Sequence, residues 1–304
     1  MTAIAPALET PSLGLRTRLA LVVMVTMFGG ALPAYKLAEE SFGPATTNAM
    51  RFAIAAAMLC FVARSKLRTA RGRVRELLVL GIFGIGLMAV LMGFGVDGAT
   101  ATVGSIVIGL EPIGVAVAGI ALAGDTRSAR VMIALAVGFA GALVASGALS
   151  KPIESVPVLA IGLLLGTVVA FSIYTSQVRR IAGGVDPLAV AALTQVGAVI
   201  LVLPACLIDV ADRGMVRGAI TPEALGAVLF LGLGSGIDYL LLCLVLAKQS
   251  SSRLAVVLYL VPVIGVVFSW LAVGERLHLR DAIGGAIVLS AIAISEGRGR
   301  RSAS

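Results

Sequence analysis

The sequence predicts an all-α integral membrane protein with ten transmembrane helices, arranged as two inverted five-helix repeats. Three observations support this prediction: an apolar composition, apolar residues grouped in long blocks, and an internal match between the two halves of the chain. Of the 304 residues, 59% are hydrophobic and only 13% are charged, and the mean hydropathy is +1.05. Soluble domains carry about 25% charged residues. The composition therefore excludes an ordinary soluble domain.

Ten apolar blocks have the length of about 20 residues that a transmembrane helix needs. Charged residues or Gly and Pro mark the connections between them. The first five predicted spans lie near 17–36, 44–64, 75–95, 98–122 and 129–148. The second five lie near 156–178, 187–208, 222–247, 252–273 and 279–296. Span one runs into "GGALPA", which resembles a signal-peptide cleavage site, but its partner in the second half favours a span that is retained.

The basic residues predict the orientation, because cytoplasmic connections of membrane proteins are rich in Lys and Arg. One side of the predicted bundle holds Arg16, Arg18, Arg64, Lys66, Arg68, Arg71, Arg73, Arg75, Arg127, Arg130, Arg179, Arg180, Lys248, Arg253, Arg298, Arg300 and Arg301. The other side holds only Lys36, Lys151, Arg213, Arg217, Arg276 and Arg280. We therefore expect a multi-pass protein of the cytoplasmic (inner) membrane with both termini in the cytoplasm. The same clusters explain the net charge of +8 without a nucleic-acid partner.

The two halves of the chain match at constant offsets. An offset of 143 residues aligns Phe28, Lys36 and Pro44 with Phe171, Arg179 and Pro187. An offset of 150 aligns Gly84, Gly86, Pro112, Gly124, Asp125 and Arg130 with Gly234, Gly236, Pro262, Gly274, Glu275 and Arg280. The predicted units are residues 1–150 and 151–304, the first and second five-helix repeats. Because five is odd, the second unit enters the membrane from the opposite side, an arrangement characteristic of secondary transporters.

Four stretches carry a resemblance to a known family. They are "MFGGALPAYK" (27–36), "FGPATTNAMRF" (42–52), "GLEPIGVAVAGIALAGD" (109–125) and "YLVPVIGVVFSWLAVGER" (259–276). Over about 17–296 the chain resembles the EamA-type transporters of the drug/metabolite transporter superfamily. The resemblance implies movement of metabolites or drugs across the cytoplasmic membrane, often export of amino acids or related molecules. The chain departs from the family pattern at Phe28, where a tryptophan is common, at Asp125 in place of Glu, and at Thr194, which aligns with Arg51.

Glu111 is the first candidate for a functional residue. It lies roughly 20 Å along span four, from a rise of about 1.5 Å per residue, and therefore near the middle of the membrane. Acidic residues inside spans mark substrate or proton pathways. A carboxylate there can take up and release a proton, as proton antiport requires, or it can be a buried partner that holds two helices together.

Asp238 is the second acidic residue inside a span. The small residues Gly234 and Ser235 lie one turn before it on the same helical face, and Tyr239 adds a hydroxyl group and an aromatic ring. A substrate or proton site and a structural ion pair are the two interpretations. Gly234 and Gly236 are expected to allow close helix packing.

Arg51 is the one basic residue within a predicted span. Thr47 and Asn48 lie one turn before it, which gives span two a polar patch. Its guanidinium group could hold a substrate carboxylate, or it could neutralise Glu111 or Asp238. The sequence leaves these alternatives open.

Further candidates fall into two groups. Tyr35, Tyr174, Tyr259, Thr194 and Gln195 are candidates for lining a substrate cavity, whereas Trp270 is expected to be an interface anchor. Pro33, Pro112 and Pro262 are expected to interrupt helices, either as bends used in gating or as packing kinks. Cys60, Cys206 and Cys243 have no metal or redox spacing, and His278 is the single histidine. We expect no metal, no cofactor and no enzymatic activity.

The predicted function is a secondary active transporter that exports a small metabolite by alternating access, with proton coupling as an option. Glu111 and Asp238 would be the proton or cation sites. The alternatives are an uncoupled exchanger or facilitator of the same fold and, as a different class, a membrane sensor or structural protein. The expected partners are a small-molecule substrate, protons if transport is coupled, and the lipid bilayer. A monomer or a weak homodimer is expected, and no nucleic acid.

Overall fold

The computed structural model describes residues 15–148, 156–181, 184–273 and 278–296. The described α-helices are α1 Leu15–Ala63, α2 Val74–Leu80, α3 Leu87–Gly98, α4 Ala101–Ile108, α5 Glu111–Leu122, α6 Ala129–Ser146, α7 Val158–Ile181, α8 Pro187–Arg213, α9 Pro222–Leu246, α10 Ser251–Leu258, α11 Leu260–Val273 and α12 Leu279–Glu296. Each predicted span coincides with helix, which confirms the predicted fold class. The aligned residues Gly274 and Glu275 and the predicted boundary at 150/151 lie outside the described residues, so that boundary stays a prediction.

Among the described residues, eight helical stretches are long and apolar enough to cross a membrane. They correspond to spans two to nine. The first span contributes a shorter apolar helix at 18–31, and the tenth span is α12. Large apolar side chains such as Phe61, Leu159 and Ile208 remain exposed on these helices. A lipid-facing surface accounts for that exposure, because apolar side chains are favoured in hydrocarbon.

Spans one and two are joined more tightly than predicted. α1 contains both, and its only non-helical residue is Gly43, with φ of 73° and ψ of 166°. A positive φ suits glycine, and Pro44 then fits the first turn of the second arm. The predicted connection at 37–43 is therefore reduced to one glycine. Pro33 was wrongly expected to interrupt span one, because it lies within α1 and no non-helical residue is found there.

Span three packs so closely against α8 that the two backbones are in contact. It starts as a 3-10 helix at Leu67–Arg73 and contains a π-helical turn at Gly81–Gly86. A Cβ atom added at Gly81 would lie 2.1 Å from the carbonyl oxygen of Thr194. A Cβ atom added at Gly197 would lie 2.3 Å from the carbonyl oxygen of Leu78. Glycine at both positions allows the two backbones to touch, as small residues do at helix contacts in membranes.

Spans four and nine are each broken in the middle. Span four breaks at Gly109 and Leu110 between α4 and α5, and span nine breaks at Tyr259 between α10 and α11. The breaks coincide at the 150-residue offset. Pro112 and Pro262 lie in the first turns of α5 and α11, where a missing backbone N–H is tolerated. The predicted interruption at these two prolines is thus confirmed.

Contacts of glycines with a neighbouring helix repeat at the same offsets. Gly86 lies against Ala198 of α8, and Gly236 lies against Ala55 of α1. Residues 86 and 236 differ by 150, and residues 55 and 198 differ by 143. The crossing of spans three and seven therefore has a counterpart in the crossing of spans eight and two.

Eight spans form a closed ring in the order two, seven, three, six, four, nine, one and eight. The principal contacts that close it join α1 to α8, α9 and α11, α7 to α3 and α5, α8 to the π-helical turn, and α5 to α10. Spans five and ten lie beside this ring and pack against each other as α6 and α12. Consequently, residues of both halves meet inside the ring.

Candidate functional site

Arg51 is buried where the two halves meet. Its Nε donates a hydrogen bond to the hydroxyl oxygen of Ser235 on α9, and its Nη1 donates to the hydroxyl oxygen of Tyr35. Tyr35 in turn donates to Oδ1 of Asn48. The guanidinium carbon lies 5.2 Å from the ring centre of Tyr35 and 5.0 Å from that of Phe52. Hydrogen bonds and aromatic faces together accommodate this buried cation.

Asp238 and Tyr239 complete the group around Arg51. Asp238 is 2% exposed, and its Oδ1 has no hydrogen-bond partner. The carboxylate interacts electrostatically with Arg51, although no direct ion pair joins them in the described part of the chain. We call Tyr35, Asn48, Arg51, Ser235, Asp238 and Tyr239 the central cluster. An unpartnered acceptor close to a buried guanidinium is a place where a polar ligand gains hydrogen bonds.

Glu111 lies beside the central cluster. It is half-buried at the first position of α5, directly after the break in span four. It interacts electrostatically with Tyr239, and no basic side chain among the described residues is found to act on it. The structure thus places Arg51 with Asp238 rather than with Glu111. Whether Arg51 pairs with an acid in function or binds a substrate carboxylate stays a prediction.

A row of four aromatic rings runs from span one through Tyr239 of the central cluster to span six. Phe28 contacts Tyr239 edge-to-face at a centroid distance of 6.1 Å, and Tyr239 contacts Tyr174 at 5.8 Å. Tyr174 stacks on Phe171 at 6.3 Å. The outer members of the row, Phe28 and Phe171, are equivalent in the two repeats. Such ring pairs contribute about 0.5–1.5 kcal/mol each beyond their burial.

Thr194 marks the neutral counterpart of Arg51 in the second half. Its hydroxyl group lies 3.3 Å from the hydroxyl group of Tyr174, which also approaches the Cys243 thiol at 4.0 Å. The same threonine hydroxyl donates to the carbonyl oxygen of Val190 at 2.9 Å. Because these hydrogen bonds join neutral groups, the equivalent position in span seven carries no charge.

The remaining predicted residues have different surroundings. Gln195 is fully buried, and both of its amide atoms lack partners. Tyr259 is buried at the break in span nine, where its ring lies against Gly138 and its hydroxyl group has no partner. Gly234 has only Met27 near the place of an added Cβ atom. Trp270 is 47% exposed, and its role as an interface anchor stays a prediction.

Sequence reasoning missed one member of this environment. Phe52 contacts the guanidinium group although it follows Arg51 directly in the sequence and points to a different side of the helix. No spacing rule identifies such a contact, because neighbours in sequence do not share a helical face. In the described residues, no group of three or more His, Cys, Asp and Glu side chains could hold a metal ion.

A pocket lies between spans two, three and seven. Its lining includes Asn48, Ala89, Val202 and Arg217. Arg217 donates to Asp209 at 2.8 Å, and both residues lie at what we call the opposite end, which also carries Lys36 and Arg280. We call the other end, with Arg64, Lys66, Arg179, Arg180, Lys248 and Arg253, the basic end. The pocket therefore connects the central cluster, through Asn48, to the opposite end.

A ring of apolar helices, two inverted halves and a polar cluster between them together define a membrane transporter. A sequence profile of the EamA-like transporter family matches residues 16–147 and 158–296. The chain belongs to the EamA-like transporter family, as its resemblance predicted.

Two relatives extend this comparison. An uncharacterized transporter from Archaeoglobus fulgidus is 26% identical over 275 residues, which are 90% of this chain and 96% of the relative. A protein of known crystal structure superposes with a TM-score of 0.79 at 19% identity, over 95% of this chain and 99% of its own. The structural likeness supports the fold. At 19% sequence identity, the structural similarity gives no information about a substrate.

Proposed function

We propose that this protein is a secondary active transporter that exports a small metabolite by alternating access between its two inverted halves. The observation that carries the proposal is the hydrogen bond from Arg51 to Ser235. It joins residues 184 positions apart, one in each half. A ligand that binds at this point touches both halves and can therefore shift their relative arrangement.

The basic end faces the cytoplasm in this proposal, since cytoplasmic connections are rich in Lys and Arg. The pocket at the opposite end would then face outward. Small-molecule substrates and the lipid bilayer are the partners that the transporter family implies. Catalysis of a covalent reaction forms no part of the proposal.

Proton coupling is assigned to Glu111, with Asp238 in a different role. Arg51 interacts with Asp238 and offsets part of the cost of its charge, whereas no basic side chain of the described residues interacts with Glu111. An acid inside the membrane without a countercharge is costly when ionised. Glu111 therefore carries the proton, and Asp238 and Arg51 bind the substrate's polar groups. An uncoupled exchanger remains the second candidate, because Arg51 and Asp238 have opposite charges and interact with each other without a proton.

Transport in proteoliposomes tests this assignment. The purified full-length protein is reconstituted, a pH gradient is imposed, and uptake of labelled amino acids and other small metabolites is followed. Glu111→Gln is expected to remove the dependence on the gradient while exchange of internal for external substrate continues. Asp238→Asn is expected to lower both activities about tenfold, the effect of losing a hydrogen bond to a charged group.

The control is Glu223→Gln, which neutralises an exposed acid in the first turn of α9. It should leave rate and gradient dependence unchanged. Normal transport by Glu111→Gln and Asp238→Asn, with unaltered proton dependence, would show that the coupling assignment is wrong. Absence of gradient dependence in the unmodified protein would favour the uncoupled exchanger.

A further inference from the structure

The two broken spans meet at one end of the molecule and not at the other. At the basic end, α5 of span four packs against α10 of span nine. The repeat relates α5 to α11 and α10 to α4, so the equivalent contact would join α11 to α4 at the opposite end. No comparable packing joins α4 and α11 among the described residues. The halves share a sequence register, so the two ends can be compared position by position.

Asp125 joins the two spans at the basic end. Its Oδ2 accepts hydrogen bonds from the backbone N–H of Ser252 at 3.0 Å and from the Ser252 hydroxyl at 3.2 Å. These residues are 127 positions apart and belong to different halves. Ser252 is 4% exposed. The carboxylate thus spans the contact between α5 and α10 with two charge-assisted hydrogen bonds, which are stronger than neutral ones.

The local backbone directs Asp125 towards this contact. Gly124 has a φ of 73°, a left-handed conformation that commonly ends a helix. The chain folds back, and the Asp125 N–H donates to the carbonyl oxygen of Gly119 at 3.0 Å. A Cβ atom at Gly119 would lie 2.7 Å from the Cβ atom of Ser251. Glycine at 119 therefore permits the close approach, and Gly124 places the acidic side chain over it.

The repeat supplies equivalent residue types for the opposite end. The 150-residue offset aligns Ser252 with Thr102 and Asp125 with Glu275. Each end therefore has one hydroxyl residue and one acidic residue in register, although Glu275 lies outside the described residues. The ends are not identical in sequence, however, because the same offset places Ser269 at the position of Gly119. The hydrogen bonds between Asp125 and Ser252 show that the basic end is the closed one in this conformation.

We infer that Asp125 is a gating residue, whose hydrogen bonds to Ser252 hold the transporter closed at the basic end while the opposite end is open. In the alternate state these bonds are broken, α5 and α10 separate, and α4 meets α11. The inference deepens the proposed function and rests on it for the meaning of the two states. The contact between Asp125 and Ser252 forms without a substrate, and the labelling experiment that tests it needs no substrate.

Cysteine labelling measures the two states directly. The full-length protein is reconstituted in vesicles of known orientation and exposed to a membrane-impermeant maleimide from either side. One reporter is Ala255→Cys in a background without Cys60, Cys206 and Cys243, because Ala255 is fully buried one turn after Ser252. The other reporter keeps Cys206, which lines the pocket at the opposite end, and lacks Cys60 and Cys243.

Asp125→Ala is expected to raise labelling of the Ala255→Cys reporter from the basic end about tenfold, the equivalent of one charge-assisted hydrogen bond. Labelling of Cys206 from the opposite end should fall in the same variant. Asp125→Asn keeps the shape and one acceptor oxygen, so that a smaller change in the same directions is expected. Asp125→Asn also replaces Asp125→Ala as the test variant if Asp125→Ala does not fold.

Ser250→Ala is the matched control, since it removes the local cap of α10 and leaves the link between the spans intact. It should leave both reporters within about twofold of the parent, as a helix cap contributes to one helix only. Unchanged labelling in both Asp125 variants would overturn the inference. Equal effects of Ser250→Ala and Asp125→Ala, or a rise at both reporters, would do the same. Transport that fails while labelling shifts as expected would count against the proposed function alone.

Discussion

Spans two and seven occupy equivalent places in the two halves, yet one carries a buried cation and the other a hydroxyl group. Arg51 in span two bonds to Ser235 and Tyr35, whereas Thr194 in span seven contacts the hydroxyl of Tyr174. In the proposed alternating access, the backbone symmetry would serve the exchange of conformations, which needs two halves of similar shape. A substrate has no such symmetry, so its binding groups need not be duplicated.

The same two spans also differ in how closely they pack. Span seven touches the backbone of span three at Gly81 and Gly197, whereas span two meets span eight through the side chains of Ile54 and Met58. A contact between backbones cannot adjust without moving a helix. A contact through flexible side chains can adjust, because the end of a methionine side chain has several accessible rotamers.

The largest expected effect tests this difference in packing. Gly81→Ala should destabilise the protein by about 3 kcal/mol, the upper range for overpacking, because the new Cβ atom would lie 2.1 Å from the Thr194 carbonyl oxygen. Gly236→Ala should be nearly neutral, since its closest neighbour is the flexible Cε of Met58 and Ala55 is 3.6 Å away. Thermal denaturation in detergent and the monodisperse yield measure both. Equal losses of thermal stability in the two variants would contradict the difference in packing between spans seven and two.

The next effect separates the charged position from its neutral counterpart. Arg51→Leu should lower transport about 100-fold, or about 3 kcal/mol, the cost of truncating one member of a buried charge pair. Thr194→Val, at the equivalent position, should change transport by no more than about threefold. Uptake rates at several substrate concentrations provide the measurement.

A loss of folding is distinguished by a double variant. Arg51→Leu leaves Asp238 without its cation, and Asp238→Asn added to it removes that unbalanced charge. Thermal stability should therefore recover in the double variant while transport stays low. Recovery of transport as well would show that Arg51 only supports the fold.

The smallest effects compare two tyrosine hydroxyl groups. Tyr35→Phe should lower transport about tenfold, because it removes a hydrogen bond from a charged donor. Tyr174→Phe removes a hydrogen bond between neutral groups and should have an effect of about threefold or less, in line with about 0.6 kcal/mol for such bonds between membrane helices. Both variants keep their aromatic rings. A larger loss in Tyr174→Phe would place the binding groups around Tyr174 rather than around Arg51.

The sequence by itself determined the class of protein, the ten spans and the repeat. The hydrocarbon core of a membrane requires long apolar helices whose backbone hydrogen bonds are internal. The amino-acid composition and the spacing of the apolar blocks reveal such helices directly. The breaks at Pro112 and Pro262 followed from the missing N–H of proline. The sequence failed at Pro33, because neighbouring structure decides whether a proline within a span bends the helix.

Only the tertiary structure decided that Asp238 interacts with Arg51, which residues join the two halves, and at which end the two broken spans are in contact. Arg51 meets Ser235 across 184 positions, and Asp125 meets Ser252 across 127. Neither pair has a local spacing that would reveal it, because residues so far apart are brought together by the packing of the ring. The repeat relates the two ends, and only the tertiary structure shows that α5 packs on α10 without a comparable contact of α4 on α11 in the described residues.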